Sequence, residues 1–254
     1  MNIVVPIKLV PDLVEELSID PGGTALDTTW LRMILNELDD HAIEQAILLK
    51  EQVGGSVTII APGIEGADDI LFTASAKGAD RLVKFVGDFT NEGNNHTLAS
   101  AYTTLIPEFQ PDLVLTGVQA HNDLDGSIGP LIASYLGMPY VGYVSGVTVD
   151  GKTATVRKEY PGGVIAEITV ALPAVLGIQA AAQPPRYVAV SKIRQAMKTT
   201  SIDEREMPLI DLTGGASVRS MFQPETGARA TMLEGDPTEI ATRLVGIFKE
   251  LGVL

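Results

Sequence analysis

Residues 57–86 read VTIIAPGIEGADDILFTASAKGADRLVKFV and contain one complete unit of the pattern that decides the fold. An apolar run at residues 57–61 ends at Pro62-Gly63, a helical pattern follows over residues 67–77, and a second apolar run covers residues 82–86. Short runs without polar alternation are typical of strands that are buried on both faces of a sheet. The stretch therefore predicts a strand, a helix and a second strand.

The same alternation covers the chain as far as residue 136. A β-branched run at residues 3–7 predicts the first strand, and Asn36 or Asp39 is expected to cap the helix that follows. Repeated βα units predict an α/β fold, in which a parallel sheet carries helices on both faces. Ligands bind such sheets beyond the carboxyl ends of the strands. We therefore expect the ligand to contact the loops after Ile7, Ala61 and Thr116.

The pattern changes after Pro139. Four strand-like runs, separated by glycine and proline turns, are predicted at residues 141–149, 153–160, 164–172 and 175–179. We expect this hairpin region, residues 141–179, to be a β-hairpin or meander added to the sheet. A short basic helix is predicted at residues 191–198.

The C-terminal part of the sequence carries little regular pattern. Residues 199–237 show neither helical nor strand periodicity, and a helical pattern returns only at residues 238–251. An irregular stretch of that length is uncommon in a compact monomer. We therefore expect residues 1–198 to form the α/β domain and residues 199–254 to form an arm and helix that wrap around a partner subunit.

Composition argues against several classes of function. The chain has 18 Lys and Arg against 32 Asp and Glu, a formal net charge of -14, which argues against nucleic-acid binding through a broad basic surface. The absence of cysteine excludes disulfides, thiolate nucleophiles and cysteine-bound metals. No apolar run approaches the roughly 18 residues of a membrane span, and the N-terminus lacks a signal-peptide pattern. We expect a cytoplasmic protein that is peripheral to a membrane at most.

Residues 146–153, GVTVDGKT, match the letters of a phosphate-binding loop that would indicate an ATPase. That motif needs a helix after the loop, whereas a strand pattern resumes here at Thr153. We predict a hairpin with a type I′ turn instead. The three histidines, His41, His96 and His121, lack the spacing of a metal site. We assign no catalytic residue and no metal ligand.

The loop at residues 117–130 is the most informative stretch for function. Residues 126–129 are expected to form a helix N-terminus that can hold a phosphate through free N–H groups and the helix dipole. Asp123 and Asp125 oppose an anion unless their carboxylates point away or cap a helix. An acidic, capped loop without a ligand is the alternative.

Three stretches together resemble the β subunit of electron transfer flavoprotein. They are NELDDHAIEQA at residues 36–46, GVQAHN at residues 117–122, and LPAV at residues 172–175 followed by PRY at residues 185–187. The family has proline where Glu37 stands here. The resemblance runs nearly from end to end of the chain.

This resemblance implies an adenine-nucleotide-binding, Rossmann-like domain that pairs with an α subunit. The two subunits would share one FAD, and the β subunit would bind either AMP or, as in electron-bifurcating members, a second FAD. The loop at residues 122–127 matches neither template cleanly, so both remain open, and AMP is preferred. The implied cofactor-binding residues are Pro6, Asn36, Glu37, Leu38, Asp39, Pro62, Gly117, Val118, Gln119, Ala120, His121, Asn122, Asp123, Leu124, Asp125, Gly126, Ser127 and Ile128.

The resemblance also implies that residues 187–198, here called the docking segment, contact a dehydrogenase. Val190 would be the apolar anchor, with Lys192 and Arg194 beside it. The implied function is an electron carrier, not an enzyme, which moves electrons from flavin-dependent dehydrogenases through FAD toward a quinone reductase. A stand-alone adenine-nucleotide sensor is the alternative from another class.

Overall fold

The computed structural model describes residues 1–87, 94–206, 216–225, 227 and 230–254. The chain divides into two compact units, Met1–Ser220 and Met221–Leu254. Residues 207–215, 226, 228 and 229 of the predicted arm lie outside the described residues, and the wrapping role of the arm stays a prediction.

The strands and helices of the first unit follow the alternation expected from the sequence. Its strands are β1 (Asn2–Pro6), β2 (Leu9–Pro11), β3 (Met33–Leu35), β4 (Ser56–Pro62), β5 (Arg81–Val86), β6 (Leu113–Gly117), β7 (Tyr140–Asp150), β8 (Thr153–Tyr160), β9 (Val164–Ala171), β10 (Ala174–Ile178) and β11 (Ile202–Glu206). Its helices are α1 (Glu37–Val53), α2 (Ala67–Lys77), α3 (Asn95–Leu105) with a 3₁₀ turn at Ile106–Phe109, α4 (Ile128–Leu136) and α5 (Val190–Thr199). The second unit contains α6 (Pro237–Glu250).

The main sheet is parallel over most of its width. Its strand order is β11-β5-β4-β1-β6-β10-β7-β8-β9, and neighbours from β11 to β7 pair in parallel. The β7-β8 and β8-β9 pairs are antiparallel. The short strands β2 and β3 form a separate antiparallel pair. The predicted α/β fold with a hairpin addition is confirmed.

Helices cover both faces of this sheet. Successive strand side chains point to opposite faces, so Ile3 and Val5 join one apolar core while Val4 joins another. The first core includes residues of α1 and α2, and the second includes Tyr102 of α3 and Ile132 of α4. Each of these three strand residues is 1% exposed or less, so side chains on both faces of β1 are shielded from water.

Helix α1 ends as its sequence predicts, but its first turn differs. Gly54, with a φ of 76°, stops the helix. Asn36 occupies the N-cap position without a side-chain capping bond, and Asp39 lies inside the first turn. Neither side chain therefore caps α1, because both are engaged by neighbouring loops.

Strand β10 differs from its predicted place in the hairpin region. It lies between β6 and β7 and pairs with both in parallel, so it belongs to the parallel core and not to the meander. All five of its residues, Ala174–Ile178, are buried. A strand with no polar alternation cannot leave one face in water, which is why it occupies the centre of the sheet.

Two local features also differ from expectation. Of the two turn residues between β7 and β8, only Gly151 has a positive φ, whereas a type I′ turn needs two such residues, so that turn type was wrong. Strand β11 pairs with β5, although no strand was predicted after residue 199. The hairpin itself is confirmed, since residues 146–153 continue from β7 into β8 with no helix after Lys152.

Candidate functional site

A cleft lies where the carboxyl ends of β1 and β6 meet the first turn of α1. The chain builds β4 and β5 on one side of β1 and then crosses to form β6 on the other side. This is the switch point in strand order, at which parallel α/β sheets bind ligands. The residues lining the cleft are Pro6, Lys8, Asn36, Asp39, Thr116, Gly117, Gln119, Ala120, Asp123 and Ile128.

Asp39 is a buried carboxylate, 3% exposed, that joins three elements of the cleft. It projects from α1 and accepts a hydrogen bond from the Lys8 backbone N–H at 2.8 Å and another from the Gly117 N–H at 2.7 Å. Burial raises the pKa of Asp39 to about 6, against the opposing effect of these two bonds. Asp39 thus holds the ends of β1 and β6 together, although its burial makes ionisation of its carboxyl group costly.

Gly117 makes this approach possible. A Cβ atom at position 117 would lie 2.6 Å from Asp39 Oδ1 and 2.7 Å from the Leu38 carbonyl carbon. Such distances are shorter than van der Waals contact, so a side chain would separate α1 from β6. The glycine is explained by close packing of the cleft wall.

Lys8 lies at the centre of a second network, with its ammonium group mostly buried. Its Nζ contacts Asp123 Oδ1 at 2.7 Å and Asn95 Oδ1 at 2.9 Å. The Asn95 side-chain amide in turn donates to Asp123 Oδ1 and to the Gly126 carbonyl. The loop after β6 is therefore attached both to the loop after β1 and to the start of α3.

The two acidic residues of the loop both contact Asn95 at the start of α3. Asp123 accepts from Lys8, Asn95 and the Ala120 N–H, while Asp125 Oδ1 accepts from the Asn95 N–H at 3.2 Å. That amide belongs to the first residue of α3, where a carboxylate is favourable. The electrostatic objection to an anion at the start of α4 is reduced for Asp123, which is paired with Lys8, whereas Asp125 Oδ2 is buried without a hydrogen-bond partner among the described residues.

The N-terminus of α4 and a buried hydroxyl face this region. Ser127 is the N-cap residue of α4 and makes no side-chain capping bond, so the first N–H groups of the helix keep their donor capacity. Thr116, 1% exposed, lines the cleft, and its Oγ1 has no hydrogen-bond partner among the described residues. An unsatisfied buried hydroxyl calls for an explanation, and a polar ligand in the cleft supplies one.

Asn36 connects α1 to the same loop. Its side-chain amide donates to the Gln119 carbonyl at 3.0 Å. The Gln119 side chain in turn accepts from the Tyr143 hydroxyl at 3.3 Å. Tyr143 has a φ of 59°, which is uncommon for a residue with a side chain. The loop after β6 is thus held by α1 on one side and by β7 on the other.

The structure brings many of the predicted site residues together and places the rest around them. Eight line the cleft: Pro6, Asn36, Asp39, Gly117, Gln119, Ala120, Asp123 and Ile128. The others, which lie outside its lining, are Glu37, Leu38, Pro62, Val118, His121, Asn122, Leu124, Asp125, Gly126 and Ser127. Pro62 is buried at the end of β4, whereas His121, Asn122 and Leu124 are exposed. The cofactor contacts assigned to these residues stay predictions.

Sequence reasoning missed three residues, Lys8, Asn95 and Thr116. Lys8 and Thr116 lie at the ends of predicted strands. The rule that ligands bind beyond the carboxyl ends of strands could therefore have identified both residues. Asn95 begins α3 and carries no comparable signal, because its contacts with Lys8 and Asp123 depend on tertiary packing.

The docking segment is exposed along most of its length. Tyr187 is 89% exposed and Val190 is 57% exposed, and Lys192 and Arg194 project from α5 into solvent. Of the residues of α5, Ala196 is buried. The predicted apolar anchor and its basic neighbours thus share one accessible helix.

Two further findings concern the part of the chain that the structure describes. Among its residues, no group of three or more His, Asp or Glu side chains is arranged to hold a metal ion. No helix in these parts of the chain has the length and apolar character needed to cross a membrane.

The fold and the cleft place this protein in the class of Rossmann-like α/β proteins, which are built on a mostly parallel sheet. A family model described as "Electron transfer flavoprotein domain" matches residues 25–209. The chain belongs to the family of electron transfer flavoprotein β subunits. The resemblance identified from the sequence is therefore confirmed at the level of the family.

Curated relatives share this similarity over most or nearly all of their length. The electron transfer flavoprotein subunit beta of Methylophilus methylotrophus is 34% identical over 98% of this chain and 98% of its own. The protein of the same name from Clostridium acetobutylicum is 36% identical over 76% of this chain and 74% of its own. That of Bacillus subtilis is 28% identical over 98% of both chains.

Proposed function

We propose that this chain is the β subunit of a heterodimeric electron carrier. With an α subunit it would share one FAD, accept electrons from flavin-dependent dehydrogenases and pass them toward a quinone reductase. The observation that supports this most directly is the full-length similarity to proteins named electron transfer flavoprotein subunit beta. The proposal gives this chain binding and docking roles and no catalytic residue.

The cleft between β1 and β6 is proposed to hold AMP as a structural ligand. The N–H groups at the start of α4 and the Lys8 ammonium suit a phosphate, and the Thr116 hydroxyl offers a further polar contact. Asp39 and Asn36 fix the loops around the ligand. The chemistry of electron storage belongs to the shared FAD when it is bound.

The docking segment is proposed to contact the dehydrogenase. A small interface with one apolar anchor and several exposed basic groups suits a carrier that must bind and release its partners quickly. Val190 supplies the anchor, and Lys192 and Arg194 supply positive charges on a chain whose formal net charge is -14.

The test is the cofactor content of the complex. This chain would be co-expressed with the α subunit from the same organism, the complex purified, its cofactors released with acid, and FAD and AMP quantified. One FAD and one AMP per heterodimer is the expected result. Two FAD and no AMP would replace the AMP assignment with a bifurcating carrier. No stable complex and no flavin would contradict the carrier and favour a nucleotide sensor.

Two lysine variants sharpen this test. Lys8→Met is expected to lower the AMP content, because it removes the cation beside the cleft. Lys152→Ala should leave the AMP content unchanged, since Lys152 lies in the turn between β7 and β8 and not in a phosphate-binding loop. A loss of AMP in the second variant would contradict the hairpin interpretation.

A further inference from the structure

Residues 181–186, which lead into the docking segment, are fastened to one face of α1. The Ala181 N–H donates to His41 Nδ1 at 3.3 Å, and the Ala182 N–H donates to Gln45 Oε1 at 3.0 Å. His41 and Gln45 are four residues apart in a helix and therefore lie on the same face. Glu44 lies three residues after His41, and its Oε2 accepts a hydrogen bond from the Arg186 backbone N–H at 3.0 Å.

The Arg186 side chain makes the strongest part of this attachment. Its Nε donates to Glu44 Oε1 at 2.9 Å, and its Nη2 lies 2.8 Å from the same oxygen. The Glu44 side chain is only 2% exposed. A carboxylate removed from water to that degree needs a charged partner, and the planar guanidinium provides paired donors.

Arg186 also reaches two further structural points. Its Nη1 contacts Glu51 Oε1 at 2.7 Å near the end of α1 and the Lys77 carbonyl at 3.5 Å at the end of α2. Helix α5 itself packs against α2. The chain immediately before the docking segment is thus held by α1, from His41 to Glu51, and by the C-terminal end of α2.

The same helix forms a wall of the cleft. Asn36 and Asp39 at the start of α1 hold the loops after β6 and β1, and Glu44 follows within two turns. Because an α-helix is a continuous hydrogen-bonded rod, its two ends are related by a fixed geometry. Helix α1 therefore carries both the ligand cleft and the attachment point of the docking segment.

We propose that Glu44 and Arg186 are positioning residues that hold the docking segment in place for its partner. The inference rests on the proposed function, in which residues 187–198 meet a dehydrogenase. A segment that is already ordered loses less conformational entropy when it binds, so the attachment favours docking without contributing a contact of its own. The ion pair orders the segment, while the cleft depends on other residues of α1.

The test uses the purified complex with the α subunit and compares Glu44→Gln with the unsubstituted protein. Limited trypsin digestion, followed by mass spectrometry, measures cleavage after Lys192 and Arg194 within α5. Hydrogen exchange is followed in residues 181–199 and in residues 117–128. Loss of the buried charge pair is expected to speed cleavage at these two sites about tenfold, with faster exchange in residues 181–199 only. FAD and AMP content should not change.

Matched variants distinguish positioning from general destabilisation. Glu51→Gln removes only the partner that is 53% exposed and should change cleavage less than about twofold. Arg186→Met should reproduce the effect of Glu44→Gln, and Arg186→Lys should recover part of the protection because it restores a cation beside Glu44.

Two outcomes would overturn the inference. One is unchanged cleavage and exchange in both Glu44→Gln and Arg186→Met. The other is faster exchange throughout β1, β6 and residues 117–128, which would show that the pair supports the whole fold and not the docking segment. Failure of the proposed function has a different signature, since it would appear as missing flavin in the unsubstituted complex.

Discussion

At the scale of single residues, the cleft depends on two side chains whose charges are mostly removed from water. Lys8 holds the loop after β6 through Asp123, and both side chains of this pair are 12% exposed. Asp39 holds the ends of β1 and β6 through their backbone N–H groups. Each of these groups is nearly buried. The loss of stability on removing one of them therefore depends on which hydrogen-bond partners remain for the groups that it contacted.

Lys8→Met is expected to lower the free energy of unfolding by about 2 kcal/mol. The variant leaves Asp123 mostly buried without its cation, although the Ala120 and Asn95 hydrogen bonds persist. Urea denaturation of the isolated chain gives the value. Lys50→Met is the control, because its partner Asp80 is 41% exposed and the loss should stay below about 1 kcal/mol. Equal losses in the two variants would contradict the importance of burial at Lys8.

Asp39 is expected to make stability depend on pH. Its folded pKa of about 6 lies above the ordinary value of 3.8, so the folded state binds the proton more tightly than the unfolded chain. The stabilisation from this proton is complete below about pH 3.8 and is lost as pH rises through about 6. The difference corresponds to roughly 2–3 kcal/mol.

Urea denaturation between pH 4 and pH 7.5 measures this dependence. Asp39→Asn should remove the corresponding fall in stability with rising pH. It should also be less stable at pH 4, since one amide oxygen replaces two carboxyl oxygens that accept from separate N–H groups. Asp69→Asn, an exposed position in α2, should keep the dependence of the unsubstituted protein. Identical pH profiles for Asp39→Asn and the unsubstituted protein would contradict the raised pKa.

At the scale of elements, the contact between α1 and β6 is decided by the absence of a side chain. Gly117 ends β6 directly against the first turn of α1, and this contact brings Asp39 to the Gly117 N–H. Neither element shows this from its own periodicity. The pattern of the strand predicts that it is buried, and the pattern of the helix predicts its apolar face, but the distance between them is a property of the pair.

Gly117→Ala is expected to destabilise the chain by about 1–3 kcal/mol, because the added Cβ would overlap Asp39 and Leu38. Thermal or urea unfolding gives the value, and AMP content of the complex should fall with it. Gly146→Ala in β7 is the control, since a Cβ there lies 3.4 Å or more from neighbouring atoms of Arg157. If the two variants unfold alike, close packing at Gly117 is not the reason for the glycine.

At the scale of the whole molecule, the second unit presents an amphipathic helix without buried residues. Helix α6 begins with a capping box in which the Asp236 side chain accepts from the Thr238 and Glu239 N–H groups. Leu244, Ile247 and Leu251 recur on one face and are 37%, 38% and 69% exposed. An ordered helix with a partly exposed apolar face supports the proposal that this part of the chain meets the α subunit.

Ile247→Asp is therefore expected to weaken association with the α subunit while leaving the isolated chain almost as stable as before. A charge placed within an apolar interface should cost about 2 kcal/mol or more in binding, whereas the free chain should change by less than about 1 kcal/mol. Co-purification and the unfolding midpoint measure the two effects. Thr242→Asp adds the same charge to the opposite face and should bind normally. Unaltered co-purification of Ile247→Asp would contradict the role of α6.

The functional site could be predicted in part. The rule that ligands bind at strand ends selected the loops of β1 and β6, and eight of the predicted residues line the cleft. Asn95 was missed because its partners are Lys8, 87 residues before it, and Asp123, 28 residues after it. The attachment of residues 181–186 to α1 was missed for the same reason, as the two segments are about 140 residues apart.

The sequence by itself determined the alternation of strands and helices, the hairpin at residues 146–153 and the family, because periodicity, turn residues and motifs are local properties. Only the tertiary structure decided that β10 lies inside the parallel sheet, that β11 extends it, and that Lys8, Asn95 and Asp123 meet. These features arise from contacts between distant parts of the chain, whose free energy depends on how whole elements pack and leaves no periodic signal in the residues themselves.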